Sequence, residues 1–441
     1  MLLHRLLLAA LLAGFVSASH SAVFAEDWPQ WQGPRRTGEW TETGVIERFA
    51  PGGPKFRWRA KVAGGYSGPS IADGRVFVSD YVRTQGDAAP SPDRRNVLQG
   101  EERLQCFDLR TGERLWDYAY PQRYEISYPA GPRATPTVDG DRVYMLGAEG
   151  RLTCLDVRDG TEVWNIDFKR KYNAATPIWG FCAHPLIVGD RLYVTAGGDG
   201  TTALCLNKTN GEEIWRSLTA KDAGYCPPTM IETSGRRELL IWTPESLNGL
   251  NPEDGAVHWS VPLEPNYGMS IVAPVQSGDR VFAGGIVNVG VMLDLRAEAP
   301  PEVLWKSTPT VGLGPVHSPV LVVGEHLYGV DREGELMCLE AATGRRLWQT
   351  YAATTGDRRA GSATAFLTRN GDRFYIFNEQ GDLIIARLTP EKYEELSRAH
   401  VLKPTHDAFG RTVVWSAPAF ANRCLFVRND EEVVCVDLAA P

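Results

Sequence analysis

Hydrophobic and polar positions recur along this chain in a fixed unit. In each copy a short apolar run, such as Leu152–Leu155, ends at a polar residue, and a Gly and then a Trp follow at constant spacing. The polar residue precedes the Trp by eight positions in five copies, which span Asp108–Trp116, Asp156–Trp164, Asn207–Trp215, Asn251–Trp259 and Glu340–Trp348. This pattern predicts a β-hairpin. The apolar run is the first strand, the polar side chain caps the turn, Gly takes the positive-φ position, and the Trp lies on the second strand.

A second hairpin precedes this one in most units. Its copies are Pro136–Met145, Pro185–Val194, Pro274–Ala283 and Pro319–Tyr328. Successive tryptophans of the pattern lie between 43 (Trp305 to Trp348) and 58 (Trp58 to Trp116) residues apart. Two hairpins make a four-stranded antiparallel unit, and repeats of this length are typical of β-propeller blades. The predicted fold class is therefore all-β.

Counting the innermost strands predicts eight blades. These strands start near Gly68, Thr135, His184, Pro227, Ala273, Ser318, Ala363 and Ala417. A seven-bladed ring is the alternative, and it would leave a hairpin pair unassigned in one of the irregular fifth and seventh units. The last unit has only three strands, whereas Phe56–Val62 is a Trp-bearing strand without a preceding hairpin. We expect this strand to complete the last blade, which closes the ring and removes exposed sheet edges.

The N-terminus predicts export. Arg5 precedes the apolar run Leu6–Val16, and Val23 and Ala25 fit a signal peptidase site, so residues 1–25 are predicted to be a signal peptide. The run is too short to span a membrane, and the first cysteine is Cys106, so neither a transmembrane nor a lipid anchor is expected. The destination is the periplasm or the medium. Residues 26–53 are predicted to be an irregular segment packed on the propeller, which occupies residues 54–441.

The composition of the chain limits which kinds of binding partner are expected. The chain has 441 residues, a formal charge of −8 and no block of like charge, which gives no reason to expect nucleic acid. One repeat domain and a monomer are expected. Five of the eight cysteines share one slot of the repeat and are predicted to be buried core residues: Cys106, Cys154, Cys205, Cys338 and Cys435. A bridge between Cys182 and Cys226 is left open.

The links between blades carry the candidate site. In a propeller, these links and the second-to-third turns share one face, the link face, whereas the repeated Asp-Gly and Thr-Gly turns lie on the opposite turn face. Loops on a rigid scaffold are where binding residues concentrate. The candidate ligand-binding residues are Tyr128, Arg133, Trp179, His184, Tyr225, Tyr267, His317, Arg359 and Trp415. No catalytic residue and no metal ligand is predicted, and structural roles for the histidines and tryptophans remain alternatives.

The repeat resembles that of a known family. The pattern Leu-x-Cys-Leu-Asp-x-x-x-Gly-x-x-x-Trp, as in Leu152–Trp164, resembles the pyrroloquinoline-quinone (PQQ) type propeller repeat, and Asp27–Pro34 is similar to the head of many exported bacterial members. The resemblance covers nearly the whole chain after the signal peptide. It implies kinship with eight-bladed quinoprotein dehydrogenases and with a non-enzymatic propeller of the outer-membrane β-barrel assembly machinery.

Two kinds of function follow from this resemblance. A PQQ- and Ca²⁺-dependent alcohol or sugar dehydrogenase would use a catalytic Asp, oxygen ligands for calcium, a Trp floor and usually a Cys pair. The sequence has no adjacent Cys pair and no acidic cluster in its links, although Trp179 or Trp415 could stack a planar ligand. We therefore predict no cofactor and favour a non-enzymatic scaffold that binds a protein, peptide or carbohydrate through its link face or central channel. A role as an outer-membrane assembly factor is a further alternative.

Overall fold

The computed structural model describes residues 26–233, 235–296 and 300–441, so the predicted signal peptide lies outside the described residues. Eight four-stranded antiparallel sheets form a propeller, which confirms the predicted fold class and blade number. Within the described ranges, no helix is both long enough and apolar enough to cross a bilayer.

The chain begins its β-structure in the last blade and then builds blades 1 to 4 in order. The first strand is β1 (Lys55–Lys61). Blade 1 contains β2 (Ser70–Ala72), β3 (Arg75–Gln85), β4 (Asn96–Asp108) and β5 (Arg114–Pro121), with β6 (Tyr124–Ile126) added to the extended end of β4. Blade 2 contains β7 (Thr137–Asp139), β8 (Arg142–Leu146), β9 (Arg151–Asp156) and β10 (Glu162–Asp167), followed by helix α1 (Phe168–Tyr172). Blade 3 contains β11 (Leu186–Val188), β12 (Arg191–Thr195), β13 (Ala203–Asn207) and β14 (Glu213–Ser217). Blade 4 contains β15 (Thr229–Thr233), β16 (Arg236–Trp242), β17 (Ser246–Leu250) and β18 (Val257–Pro262).

The second half follows the same plan. A 3-10 turn at Asn266–Gly268 leads into blade 5, which contains β19 (Val275–Ser277), β20 (Arg280–Gly285), β21 (Val289–Asp294) and β22 (Glu302–Lys306). Blade 6 contains β23 (Leu321–Val323), β24 (His326–Val330), β25 (Leu336–Glu340) and β26 (Arg346–Thr350). Blade 7 contains β27 (Ala365–Asn370), β28 (Arg373–Asn378), β29 (Asp382–Leu388) and β30 (Tyr393–His400). The link to blade 8 forms a small hairpin of β31 (His406–Ala408) and β32 (Arg411–Val413), and blade 8 contains β33 (Ala419–Ala421), β34 (Cys424–Arg428) and β35 (Glu432–Asp437).

The ring closes as predicted. Strand β1 pairs antiparallel with β35, and Trp58 lies opposite Cys435. The two ends of the chain therefore share blade 8, which has the order β1-β35-β34-β33. Pairing the two termini leaves no open blade edge between the first and last repeats.

The recurring Trp joins each blade to the next. Trp116 of β5 donates its indole N–H to the Val157 carbonyl of blade 2 at 3.1 Å, and its ring covers Gly160 in the adjacent turn. Gly160 has φ 74°, and a Cβ there would lie 2.6 Å from the ring. Six tryptophans make this indole-to-carbonyl bond to the next blade, namely Trp58, Trp116, Trp164, Trp215, Trp305 and Trp348. The fixed spacing of Gly and Trp thus reflects blade-to-blade packing.

Blade 4 departs from this pattern. Trp259 donates to the buried Glu238 carboxylate of its own blade at 3.1 Å. In the sequence of blade 5, Trp305 follows Asp294 by eleven positions instead of eight.

All eight cysteines are free thiols. Cys182 and Cys226, whose bridging was left open, are not joined. The five repeat cysteines are buried, and each lies opposite a blade-joining Trp, as Cys106 does opposite Trp116. Burial raises the pKa of Cys106 to about 12, so this thiol stays protonated and behaves as a small hydrophobic side chain.

The N-terminal segment crosses the turn face of the ring. Trp28 pairs with Ile71 of blade 1, the Arg36 guanidinium donates to the Pro185 carbonyl of blade 3 at 3.0 Å, and Glu39 bridges to Arg369 of blade 7. Blades 3 and 7 stand opposite each other in a ring of eight. The segment between Arg36 and Glu39 must therefore pass across the propeller axis, and the flanking Trp28 and Trp40 are buried.

Candidate functional site

A cavity of about 630 Å³ lies on the propeller axis. Its wall includes residues two or three positions ahead of the innermost strand of every blade, namely Gly68, Thr135, His184, Pro227, Val272, Pro319, Ser362 and Ala417. Because each blade delivers the same position, the cavity is a direct product of eightfold repetition. Its volume falls in the range of about 300–1,000 Å³ that ligand pockets occupy.

The N-terminal segment forms the floor of this cavity. Trp31 lines the cavity and stacks on His184, with ring centroids 4.7 Å apart and planes inclined by 14°. The Arg36 guanidinium lies 5.6 Å from the Trp31 ring centroid and fixes the segment to blade 3. The channel is therefore closed at the turn face and opens at the link face.

Eight of the nine residues predicted from the links line this cavity: Tyr128, Arg133, Trp179, His184, Tyr225, Tyr267, His317 and Trp415. Arg359 does not. Its side chain is 70% exposed and its guanidinium pairs with Glu333 on the outer surface of the link face. Arg359 and the other eight residues all lie in links, so their positions in the sequence did not show which of them line the cavity.

An aromatic cluster in the cavity wall includes residues of the link that contains the hairpin β31–β32. Trp415 lies 4.9 Å from His317, 5.8 Å from Tyr128 and 6.2 Å from Phe409, measured between ring centroids. Glu379 of blade 7 accepts bonds from the Trp415 indole at 3.4 Å and from the Arg411 guanidinium at 2.7 Å. These bonds hold the link hairpin against the wall.

A second aromatic pair also lines the cavity. Trp179 and Tyr225, from the links before and after blade 3, have centroids 5.3 Å apart. The Trp179 indole donates to the Pro92 carbonyl at 3.1 Å, in the long loop between β3 and β4. The blade 1 insertion thus reaches the rim of the cavity, and Pro92 and Asp93 contribute to its lining.

Both histidines of the cavity are uncharged at neutral pH. Burial lowers the pKa of His317 to about 4, and the nearby Arg411 acts in the same direction. Burial and Arg36 likewise hold the pKa of His184 well below its ordinary value. His184 Nδ1 accepts a bond from the Thr135 backbone N–H at 2.9 Å, so this ring braces blades 2 and 3.

Three guanidinium groups lie in the cavity wall or next to its floor: Arg133 and Arg332 line the cavity, and Arg36 lies over Trp31. Arg133 lines it and donates to the carbonyls of Ser127 at 2.9 Å, Tyr128 at 2.5 Å and Gly131. Burial lowers the pKa of Arg36 below the floor only to about 10, so it remains charged at pH 7. Asp93 is the one carboxylate in the described lining, and it is exposed at the rim.

These donors do not fit a calcium-bound quinone. Calcium in proteins takes about six to eight oxygen ligands, largely carboxylates and amides. The described lining supplies one carboxylate and no side-chain amide. In the ranges that the structure covers, no three His, Cys, Asp or Glu side chains converge to hold a metal ion. The residues present therefore do not match the calcium site that a quinoprotein resemblance implies.

Three exposed residues on strained backbone lie in or beside the outer part of the cavity wall. Tyr267 and Phe409 line the cavity, and Val287 follows the lining residue Ile286. We call Tyr267, Val287 and Phe409 the mouth residues. They have φ of 60°, 59° and 49°, and their exposed fractions are 82%, 44% and 56%. Positive φ is rare outside Gly and is a true outlier for a β-branched residue such as Val287. Strain of this kind clusters at functional sites.

Tyr66, Phe409 and Trp31 are among the lining residues that were not predicted as site residues. Tyr66 and Phe409 lie in links, and their aromatic character was an available signal. Trp31 was expected to pack on the propeller, but nothing local indicated that it forms the cavity floor. Its position depends on the path of the N-terminal segment across the axis.

Repeat, ring closure and axial cavity together define a PQQ-like repeat β-propeller. The family described as outer membrane protein assembly factor BamB matches residues 100–350 and 244–440, which together cover most of the chain. The chain belongs to this family.

Two curated relatives carry the same description. Outer membrane protein assembly factor BamB of Moranella endobia (strain PCIT) is 25% identical over 213 residues, which are 45% of this chain and 49% of the relative. The protein of that name from Shewanella oneidensis is 22% identical over 205 residues, or 44% and 49% of the two chains. The match thus spans about half the length of each relative.

Solved structures share the fold. BamB from Moraxella catarrhalis superposes with a TM-score of 0.54 at 16% identity, covering 82% of this chain and 97% of that one. A europium-containing methanol dehydrogenase superposes with a TM-score of 0.62 at 10% identity, covering 93% and 89%. At these identities the likeness establishes architecture and nothing finer.

Proposed function

We propose that this protein is a non-enzymatic, exported, monomeric scaffold that binds a protein or peptide partner at its axial cavity and the surrounding mouth. The observation that carries this proposal is the set of three mouth residues, which are exposed, hydrophobic and held at positive φ. Each such conformation costs about 1–3 kcal/mol, and the exposed side chains gain little from burial in the free protein. A partner that covers them offsets this cost.

The chemistry of the lining supports a polypeptide over a carbohydrate. Aromatic and Arg side chains dominate protein interfaces. Sugar hydroxyls need several side-chain carboxylates or amides as partners, and the described lining offers only Asp93. The relatives are named as assembly factors for outer membrane proteins, which also favours a protein partner. The same name and the expected signal peptide favour the periplasm.

Binding to an unfolded outer-membrane β-barrel protein tests the proposal. A fluorescently labelled eight-stranded barrel protein is diluted from urea into the purified protein, and anisotropy reports binding. The double variant Tyr267→Ser/Phe409→Ser removes two mouth side chains and is expected to weaken binding about tenfold or more.

The matched control is Leu115→Ser/Val163→Ser. These two side chains are exposed to a similar extent, at 49% and 42%, but they lie on outer strands of blades 1 and 2. We expect this control to bind like the unmodified protein. Loss of binding in the control with retention in the mouth variant would place the interface on the outer strands and refute the proposal.

The enzymatic alternative has its own test. Purified protein is incubated with PQQ and Ca²⁺ and assayed for dye reduction with methanol, ethanol or glucose. Because the cavity lacks the carboxylates that hold calcium, we expect no reduction above the rate without protein. Sustained substrate-dependent reduction would overturn the non-enzymatic assignment.

A further inference from the structure

We propose that removal of the predicted signal peptide creates an ion pair within the fold, in which the new α-ammonium group of Glu26 pairs with the buried carboxylate of Glu42. The pair joins the two ends of the segment that forms the cavity floor, so processing of the chain completes the folded structure. The proposal rests on the predicted cleavage site and is independent of the ligand that the cavity binds. Three features of the N-terminal segment lead to it: the surroundings of Glu42, the contacts of Glu26 and the loop between them.

Glu42 is a buried carboxylate whose partners among the described residues are all neutral donors. The residue is 4% exposed. One of its oxygens accepts a bond from the backbone N–H of Glu26 at 2.9 Å, and the other accepts bonds from the Trp40 indole at 3.0 Å and from the Arg423 backbone N–H at 2.5 Å. Arg35, in the same segment, pairs with the Glu26 side chain instead. Because a buried carboxylate is costly without a cation, this site favours a positive charge on one of its donors.

The nitrogen that bonds to Glu42 belongs to the residue that cleavage would expose. Val23 and Ala25 fit the signal peptidase positions, so the predicted cut leaves Glu26 as the first residue of the processed chain. The Glu26 side chain is also fixed, because its carboxylate accepts bonds from the Thr41 backbone N–H at 2.9 Å and from the Thr41 hydroxyl at 2.6 Å. The cleavage pattern and these contacts indicate the same residue independently.

Cleavage changes the chemistry of this donor. In the precursor, the Glu26 nitrogen is an amide that carries one N–H. Hydrolysis of the Ala25–Glu26 peptide bond consumes one water molecule and leaves a carboxylate on Ala25. The released proton passes to the amine, so Glu26 gains an ammonium group with three N–H bonds. A charge-assisted bond is roughly twice as strong as a neutral one, and burial of Glu42 protects the pair from screening by salt.

The pair closes the loop that carries the cavity floor. Glu26 and Glu42 lie at the two ends of the stretch that contains Trp31 and Arg36. Glu42 is also tied to blade 7, because its backbone carbonyl accepts a bond from the Asn370 side-chain amide at 2.8 Å. A compact loop is held in shape by contacts at its meeting ends and by its own side chains. An ion pair at these ends therefore restrains the path by which Trp31 reaches the axis.

Two forms of the processed chain test the pair. A fusion protein that is cleaved without leaving extra residues gives a chain that starts at Glu26. The same fusion with Gly-Ser-Gly-Ser inserted before Glu26 gives a chain whose α-ammonium group is displaced from Glu42. We expect amide hydrogen exchange at residues 28–42 to be about fivefold slower in the form that starts at Glu26, and exchange in β8 and β9 to be the same in both. Equal exchange at residues 28–42 in the two forms would overturn the proposal.

A substitution at the carboxylate shows whether the effect comes from this pair. In Glu42→Gln the shape is kept and the charge is lost, so the two forms are expected to differ less than about twofold. Glu39→Gln is the matched control, because Glu39 lies in the same segment but pairs with Arg369 at 3.4 Å. We expect the control to keep the fivefold difference. A fivefold difference that persists in Glu42→Gln, or that disappears in Glu39→Gln, would contradict the assignment. If Glu42→Gln does not fold, the two forms of the unmodified sequence still decide the question.

The position of cleavage has a separate measurement. The full chain is expressed in a Gram-negative host, and the mass of the exported protein is determined by intact mass spectrometry. We expect a mass that corresponds to residues 26–441. A cut at any other bond would leave no free ammonium group on Glu26 and would refute the proposal, whereas binding of the barrel protein at the mouth residues would be unaffected by that result.

Discussion

Glycine in the third-to-fourth turn of a blade serves both the turn and the neighbouring Trp. Gly160 combines φ 74° with a contact that leaves no room for a Cβ against Trp116. Gly140, in another turn of the same blade, has φ 57° and nothing within 4 Å of its would-be Cβ. A comparison of substitutions at these two glycines therefore separates the cost of backbone strain from the loss of blade-to-blade packing.

We predict that Gly160→Ala destabilises the protein more than Gly140→Ala does. Both substitutions incur the backbone cost of about 1–2 kcal/mol, and Gly160→Ala adds about 1–3 kcal/mol because the methyl group displaces the Trp116 ring. Urea denaturation curves measure the difference. Equal midpoints would show that the Trp contact contributes nothing at this position.

A second prediction at this scale concerns His317. Its folded pKa of about 4 is below the unfolded value of 6.5, so the unfolded chain binds more protons between these values. Stability is thus full above pH 6.5 and declines as pH falls toward 4, by on the order of 2–3 kcal/mol for this group. His317→Gln should lose less stability between pH 7.5 and 4.5 than the unmodified protein. An identical loss in both would refute the linkage.

Individual residues also show which features of the fold and of the candidate site could be predicted from the sequence. The spacing from Asp108 to Trp116 predicted the hairpin because turn chemistry and blade packing are local. Placement of Tyr128 and Trp179 at the axis followed from the repeat. The path that brings Trp31 to the floor did not, because it depends on contacts with blades far away in sequence. The sequence did not indicate that Arg359 pairs with Glu333, in the turn between β24 and β25, and so lies outside the cavity lining.

At the level of elements, blade 8 depends on a strand from the other end of the chain. Strand β1 is the partner of β35, and Trp58 docks on the Gly112 turn of blade 1. The incomplete C-terminal unit and the unpaired N-terminal strand were sufficient to predict this closure. The short elements β31–β32 and α1 were not predicted, because three to five residues show no hydrophobic period, although Asp167 and Asn173 cap α1.

We predict that Trp58→Ala loosens blade 8 selectively. Amide hydrogen exchange should accelerate in β33 to β35, because the strand that covers β35 loses its anchor on blade 1. Trp348→Ala removes the same kind of contact between blades 6 and 7 and should leave β33 to β35 protected. Full protection of β33 to β35 in the Trp58 variant would show that closure does not rely on this Trp.

At the scale of the whole molecule, eight similar blades converge on one cavity, and a crossing segment closes one of its ends. The fold and the ring of candidate residues could be predicted because repetition places equivalent positions at the axis. The closed floor and the charge that Arg36 adds next to it could not, since both depend on the path of the N-terminal segment across the axis. Those features determine which ligands fit.

Hydrogen exchange of the complex tests the central claim most directly. With the unfolded barrel protein bound, we predict slower exchange at residues 266–269, 286–289 and 406–415, which surround the mouth, and unchanged exchange in the outer strands β5, β10 and β14. Protection confined to the outer strands, with the mouth segments unaffected, would contradict binding at the axial cavity.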